Sequence, residues 1–312
     1  MAGVKGQWWL RRFEPATDRE QVEALWRAAM PPAWPLLPSG VMALREGLVA
    51  VQNTGLVSVQ STRLVGLAAA DLAGSIPLVL VAPACQRRGI GTALVTAAVE
   101  LLSAAGIGEV AAGSGGTSYI WPGVPLDLPA AVRFFAALGW DSGHDTLDLT
   151  ADLGDYRPPA GASERATQAG VSITQATRAE SGAVLAFESA TFPSWARWFE
   201  PSDQNILVAR DREGSIAGTL LFEGPGTDSV FLPLLGPAAG TIGCVGVAPH
   251  RQGQGIGTAM VARASEILRD AGTRTCHIGW TVRESFYARA GYRPWRRYRM
   301  FRRTTGHPAT TP

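Results

Sequence analysis

Apolar positions along this chain fall into two plans that repeat in order. In the first half, Trp8–Phe13 is a short extended run. A helix is expected from about Asp18 to Met30, with Thr17 as N-cap and Glu20 three residues on. Strands are expected at Leu48–Gln52, Arg63–Ala69 and Pro77–Val81, followed by a glycine turn that opens a long helix to about Ala105. A strand at Gly108–Ala112, a helix at Pro129–Leu138 and closing strands over Trp140–Leu153 complete this half. In the second half, Val171–Gln175 predicts a strand and Ala179–Ala190 a helix. Strands follow at Ile206–Ala209, Ser215–Phe222 and Gly240–Val247, then a helix from Gly255 to about Ala271. A strand at Thr275–Trp280, a helix at Glu284–Ala290 and closing strands to Arg303 end the plan. Each half therefore reads as a mixed α/β layer structure.

The two halves share sequence as well as pattern. Residues 81–94 read VAPACQRRGIGTAL, and residues 247–260 read VAPHRQGQGIGTAM, a constant 166 residues on (Val81 to Val247). Further on, Phe134-Phe135-Ala136-Ala137-Leu138-Gly139-Trp140 answers Phe286-Tyr287-Ala288-Arg289-Ala290-Gly291-Tyr292 at an offset of 152 (Phe135 to Tyr287). Two landmarks in the same order on so long a period imply a duplicated domain rather than a solenoid. The expected domains are 1–153 and 170–303, with a Pro- and Gly-rich linker over 154–169 and a frayed tail at 304–312.

Composition narrows the classes. Of the 312 residues 46% are apolar, enough for two cores, and the formal net charge of +2 is too small to argue for nucleic acid. The arginines near the C-terminus alternate with Tyr292, Trp295, Tyr298 and Phe301, as in a closing strand with one wet face. Cys85, Cys244 and Cys276 form neither a disulfide framework nor a zinc pattern. No signal-peptide core, myristoylation signal or run of 18 apolar residues is evident, so a cytoplasmic protein without membrane or metal is expected, as a monomer or homodimer.

The chemistry lies in the glycine turns. Glycines let the backbone take positive φ and approach a ligand closely. Amides converging at a helix N-terminus make an anion site. Neither turn has the lysine of a Walker A loop, and neither has G-x-G-x-x-G spacing. A diphosphate held by amides without metal remains.

The motif V-x-P-x-x-Q-x-x-G-x-G-T-A resembles motif A of the GNAT acetyltransferases, and F-Y-A-R-A-G-Y resembles their downstream motif. The resemblance implies two tandem GNAT-like domains, each a central mixed sheet flanked by helices, with acetyl-CoA as acyl donor. It implies pantetheine contacts at Val245 and Val247, and pyrophosphate contacts at Gln252, Gly253, Gln254, Gly255, Ile256, Gly257 and Thr258. The counterparts in the first copy are Val79 and Val81, with Gln86, Arg87, Arg88, Gly89, Ile90, Gly91 and Thr92. It also implies Tyr287 as the general acid for the leaving thiolate, a role for which a phenol is protonated at neutral pH. The first copy has Phe135 there, so the second copy is read as catalytic and the first as degenerate or structural.

The second copy departs from the family in two places. Trp280 replaces a common asparagine, and Thr241–Gly246 carries no carboxylate to act as base. Glu223, Asp228, His277 and Glu284 are the candidates for base or amine docking, while Cys244 and Cys276 read as inert packing. In the first copy, the extra segment Ser114–Pro125 offers an aromatic wall, with Tyr119 a possible hydroxyl. The expected acceptor is a primary amine on a small polar metabolite, such as an amino sugar or aminoglycoside. The rival readings are a non-catalytic acyl-CoA-binding sensor or partner subunit, and a protein or peptide acetyltransferase.

Overall fold

The computed structural model describes residues 8–53, 62–113, 119–200, 205–226 and 230–306. In chain order the first half holds β1 (Trp8–Arg12), α1 (Pro15–Ala29), α2 (Pro38–Ala43), β2 (Glu46–Asn53), β3 (Thr62–Ala70), β4 (Ser75–Ile76) and β5 (Val79–Val81). It continues with α3 (Ile90–Ala104), β6 (Glu109–Ala112), β7 (Val124–Pro125), α4 (Pro129–Ala137) and β8 (Asp141–Asp152). Then come α5 (Ala162–Gln168), β9 (Ser172–Gln175), α6 (Ser181–Thr191), β10 (Asn205–Arg210), β11 (Ile216–Glu223) and α7 (Leu232–Leu235). Last are β12 (Ala239–Val247), α8 (Ile256–Asp270), β13 (Thr275–Thr281), α9 (Glu284–Ala288) and β14 (Arg293–Thr304).

The chain forms two compact units, and their borders cut across the expected ones. The N-terminal unit comprises residues 1–146, 228–234 and 297–312; the C-terminal unit comprises 147–227 and 235–296. In the N-terminal unit, β1-β2-β3-β5 form one antiparallel sheet. Its other strands are β4, parallel to β6, and the end of β14, where Phe301–Thr304 pair antiparallel with Ala112–Glu109. That edge is therefore closed by the last strand of the sequence. In the C-terminal unit the order is β9-β10-β11-β12-β13, closed by the end of β8, where Leu147–Asp152 pair with Thr281–Thr275. Each unit thus takes a strand from the opposite half of the sequence, which boundaries at 153 and 303 do not accommodate.

Local chemistry explains further differences from the sequence reading. The helix α1 starts at Pro15, not after Thr17, because proline suits the first helical position and Glu14 is the N-cap. Buried Asp18 fixes this start: its carboxylate accepts the Glu14 amide at 2.9 Å and a bidentate pair from Arg11 at 2.6 and 2.7 Å. A capping box does form in the second half, between Thr177 and Glu180, where the sequence reading had none. Of the expected strand Pro77–Val81 only β5 (Val79–Val81) forms; β4 (Ser75–Ile76) precedes it and pairs with a different neighbour, and Pro77 between them can donate no ladder bond. The expected linker contains α5, whose Ala162 and Ala166 are buried.

The core of the C-terminal unit gathers Leu149, Leu207, Leu220, Ile242, Met260, Ile278 and Tyr292 beneath α8. In the closing strand β14, Tyr298, Met300 and Phe301 are buried and Arg302 and Arg303 exposed, so the neighbours Met300 and Phe301 interrupt the expected alternation. The expected tail lies beyond Gly306, outside the described residues, apart from Thr304–Gly306. Among the described residues, no helix is long and apolar enough to cross a membrane.

Candidate active site

Both glycine turns are built alike. In each, a strand ends at a valine, proline opens one turn of 310 helix, and glutamine follows. The Gln86 side-chain amide donates to the Val81 carbonyl at 3.1 Å, and Gln252 donates to Val247 at 3.0 Å. These bonds fold the loop back over the strand end. Gly89 and Gly255 cap their helices at φ 81° and 83°, in the left-handed region that glycine adopts without strain. The first amides of α3 and α8 have no acceptor within their own helix and face outward at its positive end. The last glycine of each turn admits a ring: a Cβ on Gly91 would meet Phe134 at 3.3 Å, and one on Gly257 would meet Phe286 at 3.1 Å. The two sequence landmarks therefore meet in space in each unit.

The strand before each turn is open on one side. In the N-terminal unit, β5 pairs only with β3 while β4 pairs with β6, so the backbone parts between them. A cavity of about 820 Å³ occupies this unit, lined by Val79, Val81, Gln86–Arg87, Gly89, Gly91–Thr92, Trp121 and the α4 side chains Phe134 and Phe135. In the C-terminal unit, Ala239–Ile242 of β12 pair with β13, but from Gly243 onward β12 pairs only with β11. The parting falls at Cys244, whose φ is +48°, opposite a register shift in β11. Val245 and Val247 pack against the core. Of the predicted positions, Ile90 and Ile256 are buried in the core, as the first residues of α3 and α8. A diphosphate and an extended amide-bearing arm fit this arrangement of donors and unpaired strand.

Tyr287 is buried on α9 against Phe286 and Tyr292, with ring centroids 4.7 and 6.5 Å away. Burial pushes its phenol well above the usual range, so it stays protonated at any physiological pH. Phe135 occupies the matching place on α4, edge-on to Trp140 and stacked with Phe301. Cys244 and Cys276 are free thiols, pushed up to about 12 chiefly by burial, and are poor nucleophiles.

The candidate bases fare differently. Glu223 ends β11 and Glu284 opens α9, while Asp228 lies outside the described residues. His277 is buried; its Nε2 is 3.3 Å from Asp148, whose other oxygen accepts the Trp280 amide at 2.8 Å. That bond holds Trp280 at φ +51° with its ring 46% exposed, so the residue replacing the family's asparagine sits at a pinned kink. In the extra segment, residues 114–118 lie outside the described set. Trp121 is buried, stacked on Trp26 and edge-on to Trp34, so it belongs to the core and lines the cavity at once.

Two residues escaped the sequence reading. The stem of Arg165, on α5, lies where a Cβ on Gly255 would meet it at 2.9 Å, which brings a cation to the second turn. Glu188, on α6, is fully buried; Thr219 donates to its Oε1, while its Oε2 has no hydrogen-bond partner. Burial pushes this carboxyl up to about 7 against the opposing effect of Thr219. Its α6 position had no motif to mark it. Among the described residues, no cluster of three or more His, Cys, Asp or Glu is placed to hold a metal ion.

Comparisons with known proteins agree with this geometry. Residues 19–140 match a family described as "Acetyltransferase (GNAT) family" and residues 202–294 match "Acetyltransferase (GNAT) domain". A mycothiol acetyltransferase of Clavibacter sepedonicus is 27% identical over 216 residues, covering 64% of this chain and 62% of that protein. One from Cellulomonas flavigena is 29% identical over 69% of this chain and 63% of its own length. The chain thus spans less than two thirds of the curated relatives it matches. Among solved structures, the glucosamine N-acetyltransferase region of a fungal multi-domain GH3 β-N-acetylglucosaminidase is similar at TM-score 0.85 and 26% identity, over 96% of this chain and 38% of that one. A tandem GNAT protein from the clavulanic acid biosynthesis pathway shares the fold at TM-score 0.64 and 19% identity, over 96% of this chain and 99% of that one.

Proposed function

Because the chain is an acyltransferase of the tandem GNAT superfamily, we propose that it transfers the acetyl group of acetyl-CoA to a primary amine of a small polar metabolite, an amino sugar being the acceptor class. The observation that carries this reading is the C-terminal unit's combination of a parted strand, a glycine turn and a protonated tyrosine. The glucosamine N-acetyltransferase region that resembles 96% of the chain supports the acceptor class.

In this reading the amides of Gln252–Thr258 hold the pyrophosphate and the main chain of Val245 and Val247 pairs with the pantetheine arm. An amide of the parted strand stabilises the charge that develops on the thioester oxygen. Tyr287 gives its proton to the departing sulfur. Burial suits it to this: a phenol that never ionises in the resting site is always loaded. The N-terminal unit binds an acyl-CoA through Val79, Val81 and Gln86–Thr92 without turning it over, since Phe135 has no proton to give.

The test is release of coenzyme A thiol from acetyl-CoA with glucosamine, glucosaminides, aminoglycosides and polyamines. Amine-dependent release, strongest with an amino sugar, is the expected result. No release with any amine overturns the reading.

A further inference from the structure

Glu188 differs from the other buried carboxylates among the described residues. Asp18 is taken by Arg11, Asp148 by His277 and the Trp280 amide, and Asp71 accepts the Ala73 amide at 2.9 Å. Glu188 has one neutral hydroxyl on Oε1 and an unused Oε2, with no cation bonded to it. A buried carboxylate with half its acceptor capacity idle is costly, and a site where it persists needs an explanation. Its surroundings supply one. Thr219 lies on β11 opposite the stretch where β12 parts from β13. Cys244, at that parting, is half-buried and packs against the cluster that holds Val184, one helical turn before Glu188 on α6; Tyr287 sits in the cluster against which Val245 and Val247 of the same strand pack. The carboxylate and the phenol therefore bracket the kinked strand.

Resting on the activity proposed above, we infer that Glu188 accepts the proton that the acceptor amine sheds in the C-terminal unit. The side chain is fully enclosed. It receives the proton through the Cys244 thiol, which passes its own S–H proton to the carboxylate as its sulfur takes the amine's, so Glu188 is a positioning residue that acts through Cys244 and does not touch the acceptor. The protons balance. An ammonium brings three on nitrogen, and the amide keeps one. One passes to the Glu188 carboxylate, freeing the electron pair that forms the N–C bond. As the thioester C–S bond breaks, its pair goes to sulfur, which takes the Tyr287 proton; the remaining nitrogen proton restores the tyrosine. Glu188 then returns its proton to solvent.

The groups packed around Glu188 leave its proton affinity near neutrality. Cys244 on β12 remains a neutral thiol. The 310 turns flanking α6 carry Glu180, paired with Arg210 at 2.6 Å, and Arg197, 4.8 Å over the Trp198 ring. Thr219 on β11 is uncharged. A proton acceptor that half-ionises near pH 7 is matched to its working pH.

The experiment is the pH profile of kcat/KM for acetyl transfer to glucosamine. The wild type should lose activity below about pH 7 along an acid limb. Glu188→Gln should lower kcat by roughly 10²–10⁴-fold and abolish that limb while leaving the KM for acetyl-CoA unchanged. Glu188→Asp should restore part of the rate. Thr219→Val removes the donor that favours the carboxylate and should move the limb to higher pH, a readout that survives if Glu188→Gln fails to fold. An unmoved limb in Thr219→Val, or a wild-type limb in Glu188→Gln, overturns the inference while leaving the acetyltransferase reading intact. No turnover by the wild type fells that reading first, and this one with it.

Discussion

The two units place different atoms at matching positions. At the turn, Arg87 is held at φ 60° where Gly253 takes φ 80°. After the turn, Phe135 and Trp140 stand where Tyr287 and Tyr292 stand. The Tyr292 hydroxyl shares a 2.8 Å hydrogen bond with Ser265 on α8, whereas the Trp140 indole N–H is buried without a partner, and Val99 occupies the place of Ser265. On the first helix, a fully buried valine is followed four residues later by Trp26 in one unit and by Glu188 in the other. At the places of Tyr287, Tyr292 and Glu188 the first unit thus carries the non-ionisable rings of Phe135, Trp140 and Trp26. The second keeps two phenols and a carboxylate in equally dry surroundings. A buried carboxyl is costly to hold without a full set of partners; Asp18 of the first unit has Arg11, whereas Glu188 of the second has only Thr219.

The sharpest way to break this comparison is to make the second unit resemble the first. Tyr287→Phe should lower kcat by roughly 10²–10⁴-fold, with coenzyme A affinity in direct binding unchanged, because the ring still packs. Equal rates in mutant and wild type would mean the two units do not differ at this position. A smaller effect tests the carboxyl as a stability term. The folded-state pKa of Glu188 is raised, so the folded protein binds the extra proton and loses stability as pH climbs from the ordinary carboxylate range through about 7. Glu188→Gln should therefore gain on the wild type between pH 5 and pH 8 by up to about 3 kcal/mol, read by denaturant melts at each pH. A difference independent of pH would place the proton elsewhere. The smallest effect is at the first turn. Arg87→Gly relieves a left-handed arginine but loosens the unfolded chain, for a net gain of about 0.5 kcal/mol in thermal melts. Any larger loss would mean the arginine holds the loop together.

The parts legible in sequence were those whose physics is local. A glycine turn needs positive φ at fixed spacing, and the turn declares itself in a dozen residues; the same holds for the phenylalanine–tyrosine pair that leans on it. The helix α5 was hidden because its seven residues sit among prolines and glycines and are held by packing rather than propensity. Glu188 was hidden because a glutamate on a short helix ordinarily faces water. The pairing of Phe301–Thr304 with Ala112–Glu109 joins residues far apart in the sequence, and no local pattern marks the partner of a strand.

That last pairing has a consequence for biosynthesis. The ribosome delivers β6 (Glu109–Ala112) well before the strand that covers it, Phe301–Thr304. At synthesis rates of about 5–20 residues per second, the nascent chain waits roughly ten to thirty seconds with that edge open. Throughout this interval the strand edge and the apolar surface later covered by Tyr298, Met300 and Phe301 stand exposed to chaperones or to other nascent chains. A stop codon or frameshift before Phe301 would strip the closing strand Phe301–Thr304 from the half of the molecule made first.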